Sequence, residues 1–335
     1  MAEAEARAAA APLERGWVAS WFAALAAAVL LTFLLGLLVG SYPVTPAGLV
    51  RWLSGTADPT LTQILGDVRL PRVLTTIVAG GALGLTGPLL QSAFRTPLAD
   101  PYLLGLAGFG ALGAVILQGM GWGGFGPAVL AVLGSLLAAW LVATLAGEAS
   151  AERRALVGIA LAAVSLAGLA MALALGSSVG GAGVVGWVVG GFYARSWPQL
   201  WAVLPIALPA ALAALAVGRA ANLLQLGDDV AENLGLRARA ARAGLIGLAA
   251  VLTGVAVGTA GLLGFVGLLS AGAARGLFGT DYRRLLPGAC LLGMLAVALS
   301  DLVGRTLLAP NELPAGAFTT VLGGVYLVSL TRRNL

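Results

Sequence analysis

Residues 219–242, RAANLLQLGDDVAENLGLRARAAR, form the only long charged interval between two oily runs that are each long enough to cross a bilayer. Inside it, GDDVAENLG at 227–235 reads as a short helix with its own start and stop. Asp229 is placed to cap the first turn, Glu232 to reach back in the manner of a capping box, and both acids suit the positive end of a helix. Gly235 ends it, because a residue without Cβ leaves a helix cheaply. Leu226, Val230 and Leu234 recur at fourfold spacing, so the helix has an apolar edge. Two turns are marginal alone and must dock on something. A solvated loop with a helical turn and a docking helix for a partner protein both fit this stretch taken by itself.

The surrounding composition sets the class. The 335-residue chain is 59% hydrophobic and 10% charged, where soluble domains carry roughly 25% charged residues, and its mean hydropathy is +0.97. Its 49 glycines suit membrane helices, in which small residues let backbones approach. An all-α polytopic membrane protein is expected. All 19 basic residues are arginine, without the clustering with aromatics that a nucleic-acid footprint needs. Cys290 is the only cysteine, so no disulfide forms within the chain. With no histidine, the commonest metal ligand and proton shuttle are missing, which argues against metal catalysis and histidine acid–base chemistry.

Residues 1–15 read as a short polar tail and 16–333 as one transmembrane unit containing the loop 219–242. The first apolar run is too long for a signal-peptide core and is taken as a span. The uncharged intervals are Gly16 to Val50, Val73 to Phe94, Pro101 to Gly147, Ala155 to Ala194, Ser196 to Gly218, Ala243 to Ala274, Leu285 to Ser300 and Leu313 to Thr331. Pro101 to Gly147 must fold back, with GMGWGGFGP at 119–127 as the turn. The glycine-rich end of Ala155 to Ala194 leaves room for a half-helix, and Ala243 to Ala274 is expected to break at Gly258-Thr259-Ala260-Gly261. The count is nine clear spans and one short one, about ten. With ten, fourteen arginines fall on the side of the two termini and five on the other. By the positive-inside rule both termini and the 219–242 loop are then cytoplasmic.

Several segments, in order, resemble one family. Residues 69–115, RLPRVLTTIVAGGALGLTGPLLQSAFRTPLADPYLLGLAGFGALGAV, are similar to the second and third spans of the permease subunits of ABC importers for iron-siderophores, haem and cobalamin. GDDVAENLG at 227–235, GFVGL at 264–268, DYRRLLP at 281–287 and the run from Asp301 to Pro314 match further segments of that family. The resemblance implies a bacterial inner-membrane permease that works as a dimer, a homodimer being expected, with two nucleotide-binding ATPase subunits and a periplasmic or lipid-anchored binding protein. It makes 227–235 the coupling helix, carried by Gly227, Asp228, Asp229, Glu232, Leu234 and Gly235. It sets Arg69, Arg72 and Arg305 where relatives present positive charge to the binding protein; interfacial arginines snorkelling from helix ends read equally from the residues. Gln91, Ser150 and Gly84 are candidates for the translocation path or gate, with an interhelical hydrogen bond as the other use of Gln91 and close helix packing that of Gly84.

No cofactor is expected on this chain. Without lysine it cannot hold a G-x-x-x-x-G-K-[ST] phosphate loop, so ATP and Mg belong to a partner. Asp301 and Glu312, beside Arg305 and Pro310, read as acids in a local ion pair near the outer boundary, and Ala271-Gly272 stands where the family commonly has Pro-His. A secondary transporter is the alternative. It would need intramembrane acids or broken-helix ion sites, of which the sequence offers almost none.

Overall fold

The computed structural model describes residues 15–119, 125–146, 151–175, 188–309 and 311–333. Among these, every regular element is helical. The elements are α1 (Arg15–Leu38), α2 (Pro46–Leu53), α3 (Pro59–Gln63) and a π-helical turn (Ile64–Arg69) that runs straight into α4 (Leu70–Phe94). Then come α5 (Leu106–Gly119), α6 (Phe125–Ala146), α7 (Ala151–Leu175), α8 (Trp197–Ala216), α9 (Gly218–Gln225) and α10 (Asp228–Asn233). The chain closes with α11 (Ala238–Ala260), α12 (Val266–Phe278), α13 (Tyr282–Thr306) and α14 (Ala315–Arg333). Six of the described helices are long and apolar enough to cross a membrane, and four more are apolar but shorter, so the chain is a multi-pass membrane protein.

α4 is the axis of the bundle. It packs against α13, α11 and α12, and from Ala79 to Phe94 every residue is buried. Burial on all sides explains why this segment reads as uniformly oily rather than amphipathic. Gly80, Gly81, Gly84 and Gly87, at three- and four-residue spacing, allow it. A Cβ added to Gly84 would lie 2.3 Å from the carbonyl oxygen of Ala289 on α13, and one on Gly87 would lie 2.1 Å from that of Gly267 on α12. Gly84 is therefore a close backbone-to-backbone contact between α4 and α13, the packing use that the sequence also allowed.

Two local details follow from simple causes. The break after α11 comes at Gly261–Phe265, starting at the last residue of the expected 258–261 stretch, because Gly258 is held in the helix against Ala128 while Gly261 and Phe265 take positive φ values of 73° and 60°. The oily interval from Gly16 to Val50 contains the end of α1 and the start of α2. Thr45 accepts the N–H of Gly48 there, and Pro46 occupies the first turn. Residues 120–124 and 176–187, which include most of the expected turn and the proposed half-helix, lie outside the described residues.

Candidate functional site: the coupling helix and the two charged ends

α4 spans roughly 35 Å at 1.5 Å per residue. Just past its last turn is Arg95, and near its first is Arg72, so the two charged clusters occupy opposite ends of the bundle.

At the Arg95 end, Gly227 at φ 110° and Gly235 at φ 83° bracket α10. Gly227 is the N-cap and makes no side-chain cap. Asp229 is therefore not the cap that the sequence suggested. With Gly227 at positive φ as the N-cap, the helix starts two residues earlier, so Asp228 and Asp229 both stand in the first turn. Asp228 accepts hydrogen bonds from Arg95 and, at 2.5 Å, from Arg242. The Arg242 hydrogen bond, with the charge of both guanidiniums, holds its carboxyl below the usual carboxylate range. Arg95 also donates to the carbonyl of Leu224 at 2.8 Å and Arg242 to that of Ala93 at 3.1 Å. One carboxylate thus ties α10 to the end of α4 and to the start of α11.

Ala231 faces inward and is fully buried. The opposite edge is open: Leu226 is 59% exposed, Val230 44% and Leu234 59%, with Asp229 and Glu232 exposed beside them. The apolar edge that the spacing foretold has no cover among the described residues.

Between the end of α4, α9 and the α12–α13 turn, next to the start of α10, lies a cleft of 540 Å³ whose lining includes Gln91, Arg95, Leu226, Arg275, Thr280 and Tyr282. Gln91 is 2% exposed and accepts from Arg275 through its carbonyl oxygen, so the interhelical bond and the position on a cavity wall hold together. Asp281 joins α13 to α9: it accepts from Asn222 at 2.6 Å and from the N–H of Arg283 at 3.0 Å. Burial raises its pKa, but these bonds outweigh that and leave it below the ordinary value. Asp100, in the turn between α4 and α5, is fully buried and accepts the N–H groups of Tyr102 and Leu268, each at 2.9 Å. Burial pushes its carboxyl up to about 6 against those bonds. It pins the loop to the first turn of α12.

At the other end, Arg69 and Arg305 are buried and Arg72 is partly buried. Arg69 is 5% exposed and donates to the carbonyls of Leu37 at 2.7 Å, Leu38 at 3.0 Å and Tyr42. These are the open carbonyls at the end of α1 and just beyond it. Arg305 is 6% exposed and donates to Gly36 at 2.6 Å. Arg72 forks between Asp301 at 2.8 Å and Glu312 at 2.9 Å. Within the chain, Arg69 and Arg305 cap the end of α1, and Arg72 binds α4 to α13 and to the segment before α14. Asp301 and Glu312 are paired chiefly at long range, with Arg72 as the shared partner, while the neighbouring Arg305 approaches Asp301 to 4.0 Å. Ser150 lies outside the described residues.

The profile of the FecCD transport family matches residues 28–333. The chain belongs to that family. Among FecCD relatives, the hemin transport system permease protein of Yersinia pestis is 35% identical over 84% of this chain and 87% of its own length. The ferric enterobactin permease protein of Escherichia coli K12 is 37% identical over 90% and 91%. The vitamin B12 import permease protein of Salmonella paratyphi A is 34% identical over 94% and 95%. In fold, the chain is similar to a metal-chelate type ABC transporter solved in an inward-facing conformation, with a TM-score of 0.82 and 26% identity over 93% of this chain and 98% of the other. FecCD proteins are membrane permeases of ABC importers. Arg95, Asp100, Arg242 and Arg275 escaped the sequence reading as site residues; the one signal was Asp100, an acid between two prolines at the end of an uncharged run.

Proposed function

We propose that this chain is the transmembrane permease subunit of an ATP-driven importer for an iron chelate, a ferric siderophore or haem, or for cobalamin. The observation that carries this is the uncovered edge Leu226, Val230 and Leu234 of α10, set on a helix whose root is fixed by Asp228. An apolar anchor with a polar rim is the anatomy of a protein interface, and fixing the root lets force on the helix reach α4 and α11. The occupant is a separate nucleotide-binding ATPase that carries ATP and Mg. Two copies of it act on two copies of the permease, in the bacterial inner membrane, with about ten spans per chain and both termini and α10 cytoplasmic. A periplasmic or lipid-anchored binding protein delivers the chelate. ATP binding closes the ATPase pair, the coupling helices move, and the cavity between permease copies changes the side it faces. The relatives' hemin, enterobactin and vitamin B12 systems support this substrate range. Secondary transport is not favoured, since Asp301 is bound by Arg72 rather than left for an ion.

The test is reconstitution in proteoliposomes with the ATPase and binding protein encoded beside it. One loaded binding protein, with ferric siderophore, haem or cobalamin, is expected to stimulate hydrolysis and drive uptake. Uptake of any of these without ATP would return the secondary-transporter reading.

A further inference from the structure

The cleft next to the start of α10 contains a donor with no acceptor. Gln91 sits in the last turn but one of α4, 2% exposed, and its orientation is set by Arg275, which donates to its carbonyl oxygen. Its amide nitrogen is thereby left buried without a hydrogen-bond partner. A buried N–H₂ group without an acceptor costs on the order of 1–3 kcal/mol, so such a group points to something that completes it. The other polar groups of the wall lean the same way. Arg275 and Arg95 are cationic, Thr280 is an exposed hydroxyl, and the one acid, Asp281, is already held by Asn222.

We infer that this cleft receives a carboxylate side chain of the docked ATPase subunit, bound by the Gln91 amide and the Arg275 guanidinium. A carboxylate is acceptor-only and suits a neutral and a cationic donor side by side. The partner, rather than a free anion, is the occupant because the cleft is continuous with the docking edge. Leu226 belongs to both, and Arg95 lines the cleft while gripping Asp228 of α10. At 540 Å³ the cleft has room for several side chains. The inference rests on the ATPase-docking reading and gives that partner a second, polar point of attachment beside the apolar one.

The chain's lack of lysine offers a direct test. Thr280→Lys introduces the only side-chain amine on the permease, and a carbodiimide joins an amine to a carboxylate in contact with it. In the assembled complex, mass spectrometry is expected to find an amide between that lysine and one Asp or Glu of the ATPase. A complex that assembles without any such cross-link overturns the inference. In parallel, Gln91→Leu should weaken ATPase affinity about tenfold, as loss of one charge-assisted hydrogen bond does, and affinity within twofold of the wild type also overturns it. The same titration on Val230→Asp/Leu234→Asp separates the two readings. If that variant binds the ATPase normally, the docking reading itself has failed; if it binds poorly while Gln91→Leu and the cross-link behave as in an empty cleft, only the carboxylate inference has.

Discussion

The two ends of α4 hold similar residues and use them in opposite ways. At the Arg72 end, three arginines and two acids are held by one another and by the carbonyls at the end of α1, with Arg69 and Arg305 nearly sealed from solvent, although the buried Nε of Arg305 makes no hydrogen bond and lies 4.0 Å from Asp301. At the Arg95 end, one acid is clamped by two arginines, while Asp229, Glu232, Leu226, Val230 and Leu234 remain open. The first end is a closed structural knot; the second is an interface lacking its other half. Charge content does not separate them. What separates them is whether each polar or apolar group finds its complement inside the chain.

The largest effect should come from opening the closed end. Arg72→Leu strands Asp301 and Glu312, and removing one partner of a buried pair costs about 3–5 kcal/mol. The lower figure is expected here, since Glu312 is partly exposed. A thermal melt in detergent that drops by several degrees agrees with this; an unchanged melt means the knot is only a surface pairing. Next in size is Gly84→Leu. Its side chain meets the backbone of Ala289 and must part α4 from α13, at about 1–3 kcal/mol or more for overpacking. Full stability with altered uptake would instead return Gly84 to the translocation path.

A smaller effect is expected from pH. The Asp100 carboxyl is raised in the folded chain to about 6, from an unfolded value near 3.9. The folded state therefore binds this proton more tightly, and the stability this group contributes is greatest at low pH and declines as pH rises from about 4 to about 6. Asp100→Asn should flatten that part of the melting-temperature profile relative to the wild type. An identical slope in both proteins would show that Asp100 is charged throughout.

The sequence was most informative where local rules operate. The oily runs fixed the class, two glycines framed α10, and fourfold spacing foretold its apolar edge. It was least informative where partners are far apart along the chain. Arg72 meets Asp301 and Glu312 across 229 and 240 positions, so an arginine at a helix start reads equally as docking, snorkelling or buried. The π-helical entry to α4 and the left-handed Phe265 have no sequence signal of their own, because tertiary packing imposes them. Gln91 was found as a polar residue in an oily span, but only the position of Arg275, 184 residues away, decides which of its atoms is left over.

The most direct measurement is the affinity of the ATPase subunit for permease carrying Val230→Asp with Leu234→Asp. Both side chains are exposed, so the fold should keep its melting temperature within a few degrees. Losing two apolar anchors at about 1.5–3 kcal/mol each should cut binding at least a hundredfold and abolish stimulated hydrolysis. Binding and stimulation equal to the wild type would contradict α10 as the place where the ATPase takes hold.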